Sequence, residues 1–148
     1  MLIISNADYE SLRRHGEETY PYECCGALLG RLTEAGREVA AVVRCSNTRA
    51  DRPQDRYSID PKELLRLQRQ ADERGLAIVG FYHSHPDHPA RWSETDLEEA
   101  HWLGCSYVIT SVKAGQATET CSFVLAGVTE DEKRLEQEKI TVLSFVES

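Results

Sequence analysis

The chain has 148 residues, a formal net charge of −8, and 41% apolar against 28% charged residues, which suits one globular domain spanning residues 1–148. No apolar run approaches the ~20 residues of a membrane span. The opening Met1-Leu2-Ile3-Ile4-Ser5-Asn6 has no basic segment, and Asp8 and Glu10 follow at once, so the expected setting is the cytoplasm, with no membrane partner. Nucleic acid is not an expected partner either. Affinity for a phosphate backbone comes from dense Lys/Arg, whereas Arg49, Arg52 and Arg56 are interleaved with Asp51 and Asp55.

Five cysteines, Cys24, Cys25, Cys45, Cys105 and Cys121, form no C-x-x-C pair and are read as reduced thiols filling apolar surroundings. In chain order, a short strand at residues 2–4 precedes a helix from Ala7 to about Thr19, started by Ser5 or Asn6 and stopped before Pro21. Strands follow at Cys25–Arg31 and Glu38–Cys45, joined by a turn around Ala35-Gly36. Residues 47–57, rich in Arg and Asp, are either a lid or an inert loop.

Asp60-Pro61-Lys62-Glu63 opens a helix, with Asp60 as cap, proline at the first helical position and Glu63 completing a capping box. Leu64, Leu65, Leu67 and Ala71 give it an apolar stripe, and Gly75 ends it. The continuous apolar run Leu76–Tyr82 reads as a strand buried on both faces. A second helix is predicted from Ser93 to about Leu103, and further strands at Tyr107–Ser111, Thr120–Leu125 and Ile140–Phe145. The order of elements predicts an α/β fold, a mixed sheet with packed helices.

Chemistry concentrates in Gly80-Phe81-Tyr82-His83-Ser84-His85-Pro86. On a strand, alternate side chains share a face, so His83 and His85 point the same way and can grip one metal ion. Taken alone, such a pair is equally at home as two satisfied polar side chains. A catalytic zinc takes a third protein ligand. Asp87 and His88 lie between prolines in a predicted loop, whereas Asp96 lies one helical turn after Ser93, on a rigid element, and is the better third ligand. Ser93-x-x-Asp96 also has the form of an ordinary capping box, and a carboxylate engaged in the box is expected to be lost to the metal.

The spacing His83-x-His85, seven residues, Ser93, two residues, Asp96 resembles, without a gap, the metal motif of the JAMM (JAB1/MPN/Mov34) metallopeptidases. Tyr20-Pro21-Tyr22-Glu23-Cys24-Cys25-Gly26-Ala27-Leu28-Leu29-Gly30 resembles the glutamate segment of that family's small bacterial members, as do Asn47, Tyr57 and Asp60-Pro61. The likeness spans roughly residues 1–125. It implies a cytidine-deaminase-like MPN/JAB1 domain, one Zn²⁺ per chain on His83, His85 and Asp96, Glu23 as general base, and Ser93 as donor to the oxyanion. It further implies hydrolysis of the bond after the C-terminal Gly-Gly of a ubiquitin-like sulfur-carrier protein.

Two other readings stay open. One is a non-catalytic MPN-type scaffold, and the other a zinc amide hydrolase acting on small molecules. A deaminase would require H-x-E and P-C-x-x-C, which the chain lacks. Many relatives place proline directly before the motif serine, whereas this chain has Trp92, which either shapes the wall of the substrate groove or packs on the sheet. His15, His88 and His101 are assigned no metal role, with His88 retained as a substrate-contact candidate.

Overall fold

The structure is a computed structural model that describes residues 1–47, 59–127 and 129–144. Strand β1 (Leu2–Ser5) runs straight into helix α1 (Asn6–Thr19), whose N-cap is Ser5: its hydroxyl accepts the Asp8 amide at 3.1 Å. The hairpin β2 (Cys25–Thr33) and β3 (Gly36–Cys45) follows. Helix α2 (Pro61–Glu73) leads to β4 (Ala77–Pro86), and helix α3 (Glu94–Glu99) leads to β5 (Ser106–Lys113) and β6 (Gln116–Ala126). A 3-10 turn at Glu130–Glu132 precedes β7 (Arg134–Glu138) and β8 (Ile140–Leu143). Together the strands form one mixed sheet in the order β7-β6-β5-β4-β2-β3-β1-β8. Its two ends are successive pieces of the same stretch of chain, so the strand that pairs with β6 goes on to pair with β1.

Each sheet face buries its own core. Leu12 of α1 packs with Leu2, Ile4, Leu28, Val79, Tyr82 and Val108 on one side. Leu67 and Ala71 of α2 cover Cys25, Ala27, Leu29, Phe81 and Ile109 on the other. Alternation along a strand makes this possible, and β4, covered on both faces, is the continuous apolar run that the sequence displays. Close approach requires glycine at Gly26, where a Cβ would lie 2.2 Å from the Tyr82 ring. Cys24, Cys25, Cys45 and Cys105 are buried free thiols, as expected, and burial pushes Cys45 up to about 12.

Several expectations are corrected. Asp60 caps α2, accepting the Lys62 amide at 2.8 Å, but Glu63 does not close a box. Its carboxylate instead accepts the Ser46 amide at 3.0 Å and pairs with Arg66. Leu65 is 55% exposed, because neighbouring helix positions diverge by a quarter-turn and only Leu64 of the two packs on the core. Helix α3 stops at Glu99 rather than near Leu103: Ala100 turns into the core in an extended conformation. Beyond it, the Trp102 ring stands edge-on to Phe81 and its amide donates to the Tyr107 hydroxyl. Strand β7 went unpredicted because only Leu135 of its residues is buried. Residues 48–57 of the candidate lid, with Tyr57, and Phe145 lie outside the described residues.

His15 has a structural role on the α1 side, with its Nδ1 2.7 Å from the Tyr82 hydroxyl oxygen. Burial lowers its pKa to about 4, with the Arg44 charge adding to the effect. The unfolded chain therefore binds this proton first, so stability present above about pH 6.5 is lost as the pH falls toward 4. Urea titrations at stepped pH should show a flatter acid slope for His15→Gln than for the native protein. Equal slopes would remove His15 from the acid response.

Candidate metal centre

Strand β4 delivers the two histidines as alternation requires: His83 and His85 share the face that carries Phe81, and both are buried. Their Nε2 atoms are 3.2 Å apart. Asp96, in the first turn of α3, meets both: Oδ1 is 3.1 Å from His83 Nε2 and Oδ2 is 3.0 Å from His85 Nε2. Burial works against ionisation of Asp96, but the facing His83 and His85 imidazoles outweigh it and hold the carboxyl well below the usual range. His83 is lowered by its burial. His85, though buried, is raised by its hydrogen bond to Asp96.

This donor set fits a small divalent cation. Tetrahedral ligands at zinc's ~2.0–2.1 Å would stand about 3.3 Å from one another, and one ligand atom from each of these three side chains lies within 4.8 Å of the others. The outer contacts agree. His85 Nδ1 donates to the Pro89 carbonyl at 2.9 Å, which turns Nε2 toward His83 and Asp96.

Asp96 closes the capping box and still faces both histidines. Its Oδ2 accepts the Ser93 amide at 2.9 Å while Ser93 Oγ accepts the Asp96 amide at 3.1 Å, a complete capping box, and the same carboxylate faces both imidazoles. An ionised carboxylate offers about four lone-pair sites, so the cap consumes one and leaves the rest. Ser93 Oγ likewise accepts at the cap and keeps its own hydrogen to donate.

Glu23 reaches the site through pairing of β2 with β4. Cys25 is in register with His83, and just before it the Cys24 amide donates to Ser84 Oγ at 2.8 Å while the Ser84 amide donates to the Cys24 carbonyl at 3.3 Å. The same alternation sets Glu23 on the His85 side of the sheet. It is 5% exposed, and with His85, His88 and Ser93 it lines a cleft of about 340 Å³. Asn47 Nδ2 donates to the Glu23 carbonyl at 3.3 Å, tying the end of the first hairpin to this segment.

Other candidates fall elsewhere. Asp87 is committed to the Ala114 amide and the Tyr20 hydroxyl. Trp92 is half-buried against the core and, with Phe123, lines a second hollow that meets the Glu23 cleft at Arg91. His88 lines the cleft and His101 is exposed. Sequence reasoning gave no role to Ser84, although its place between two same-face histidines was a signal: it must point to the opposite face, toward whatever packs there. Gly16 packs there, and a Cβ on it would stand 3.1 Å from Ser84 Cβ. Arg91 and Thr95 also line the cleft, and nothing in the sequence had marked them.

The family of prokaryotic homologs of the JAB domain matches residues 5–137, and the chain belongs to that family. It is similar to a desampylase of Haloferax volcanii, 40% identical over 91 residues that cover 62% of this chain and 63% of that protein. It is similar as well to a probable TtuB-protein conjugate cleaving protease of Thermus thermophilus, 33% identical over 102 residues, 69% of this chain and 65% of that protein. The chain thus spans just under two thirds of the length of these curated relatives. A protein of Desulfitobacterium hafniense, solved in solution, superposes with a TM-score of 0.83 at 28% identity, covering 99% of this chain and 96% of that one.

Ser84→Ala would leave the buried Cys24 amide without its acceptor, at a cost of about 1–3 kcal/mol. Chemical denaturation should register that loss, and an unchanged midpoint would show that the Ser84 hydroxyl does not hold the Glu23 segment.

Proposed function

We propose that the chain is a zinc-dependent peptidase or isopeptidase, a single JAMM/MPN domain that hydrolyses the bond after the C-terminal Gly-Gly of a ubiquitin-like sulfur-carrier protein. The observation that carries this reading is the convergence of His83, His85 and Asp96 on one point at the wall of a cleft that also holds Glu23. Zinc held by those three residues would polarise the scissile carbonyl and acidify a water molecule. Glu23 accepts that water's proton and passes it to the departing amine, the work of a general base and then a general acid. Ser93, with its oxygen engaged by the Asp96 amide, aims its hydrogen at the oxyanion. A cleft of about 340 Å³ suits an extended diglycine, which presents backbone without side chains.

The names of the relatives, a desampylase and a protease that cleaves TtuB-protein conjugates, support a protein conjugate as substrate. No described helix is long and apolar enough to cross a membrane, which is compatible with work in the cytoplasm. A non-catalytic scaffold would have no need of a complete and convergent ligand set, so the enzyme is preferred.

Metal analysis of the purified protein should give one zinc per chain, lost in His83→Ala and in Asp96→Ala. Zinc held at full stoichiometry by either variant would contradict the ligand set. Glu23→Gln should keep zinc and lose about 10²–10⁴-fold in turnover, and Ser93→Ala should lose about 10²–10³-fold. The substrate assay is a carrier extended past its Gly-Gly, with products weighed by mass spectrometry. A zinc-loaded protein that leaves this carrier intact but hydrolyses small amides would replace the carrier reading.

A further inference from the structure

We propose that Arg91 is a carboxylate anchor on the leaving side of the cleft, so that the preferred substrate releases an amino acid with a free C-terminal carboxylate rather than a lysine side chain. The inference rests on the hydrolase reading above and names the substrate class for that same site. Arg91 lines the cleft that holds Glu23, His85 and Ser93, and it also lines an adjoining hollow of about 440 Å³ beside Trp92 and Phe123. Among the described residues, no other borders both spaces.

The loop beneath Arg91 is fixed. His85 Nδ1 donates to the Pro89 carbonyl at 2.9 Å, Ser111 Oγ donates to the His88 carbonyl at 2.6 Å, and Ala90 is fully buried in the core. The guanidinium therefore projects from a rigid base and is itself exposed. Arginines that hold this fold together have acidic partners: Arg37 with Glu138, Arg44 with Glu18, Arg134 with Glu136. Among the described residues Arg91 forms no hydrogen bond or ion pair, in a chain whose net charge of −8 supplies acids in excess. Glu119 lines the same hollow without pairing with Arg91, so the planar guanidinium fork beside the cleft stays available to an incoming carboxylate.

The reaction geometry gives that carboxylate a source. Water adds across the carbonyl after Gly-Gly, the C–N bond breaks, the acyl side leaves as a carboxylate, and the amine departs with the proton. When the departing group is a single C-terminal residue, its own carboxylate lies two bonds beyond the leaving nitrogen, and its side chain can enter the hollow floored by Trp92 and Phe123. A lysine-linked conjugate brings only the uncharged methylenes of the lysine side chain to the same place.

Three peptides ending in Gly-Gly test the assignment on the intact zinc-loaded protein: one extended by phenylalanine with a free carboxylate, one by phenylalanine amide, and one joined to the side chain of a lysine blocked at both termini. The free acid should exceed the other two in kcat/KM by about 10–100-fold, through KM, as a charge-assisted bidentate contact provides. In Arg91→Gln the ratio should fall to about one, and Arg91→Lys should keep part of it. Calorimetric binding of the acid and the amide to Glu23→Gln protein makes the same comparison without turnover. Tighter binding of the acid through Arg91, with no carrier cleaved by the native protein, keeps the anchor and overturns the hydrolase reading. Equal treatment of acid and amide, a preference that survives Arg91→Gln, or no binding of either peptide overturns the anchor.

Discussion

Hydrogen bonds between Cys24 and Ser84 set the distance between the two halves of the site. Ser84 lies between the two histidines but points through the sheet, where its Oγ takes the Cys24 amide. Its backbone amide returns a bond to the Cys24 carbonyl. Those contacts fix the lead-in to β2 against the end of β4 in one register, and register decides sides: a slip of one residue would carry Glu23 to the opposite face. The packing continues downward, where α1 meets Ser84 at Gly16 and a Cβ would stand 3.1 Å from Ser84 Cβ. Sequence features that look unrelated, a glycine in the first helix and a serine inside the histidine pair, are thus parts of one clamp on the acid.

Asp96 imposes a second constraint by a different route. A six-residue helix has too few internal hydrogen bonds to persist unaided, since the first turn is the costly one. Here the capping box supplies two bonds at its start and burial of Ala100 anchors its end. The box also holds the carboxylate in the rotamer whose two oxygens face the imidazoles. The cap takes one acceptor site of the carboxylate and leaves others for the imidazoles, so closing the box does not withdraw Asp96 from His83 and His85.

Legibility followed the range of the interactions. His83 and His85 could be placed on one face from strand alternation alone, and Ser5 and Asp60 could be read as caps, because those signals are local. The partnership of Glu23 with them came only from resemblance to a family, since nothing near Glu23 in the chain says which strand it will lie beside. Glu63 left its expected box for the Ser46 amide, and α3 ended early as Ala100 entered the core and Trp102 found partners on β4 and β5. Strand β7 carries one buried residue and forms because β6 offers it an edge. Each of these outcomes was decided by a partner distant in sequence.

The position of the cleft follows from the sheet's topology. Strand β4 is the switch: β2 runs antiparallel to it on one side and β5 parallel on the other. A parallel neighbour demands a crossover, so the chain must leave the end of β4, pass over the sheet as α3, and re-enter at β5. At that same end an antiparallel neighbour begins, which brings the start of β2 alongside. Strand end, crossover helix and incoming strand meet where the pairing changes sense, and the crevice left between them is where open α/β sheets hold their ligands. Histidines at the end of β4, an aspartate at the start of α3 and a glutamate just before β2 are the residues such a crevice collects.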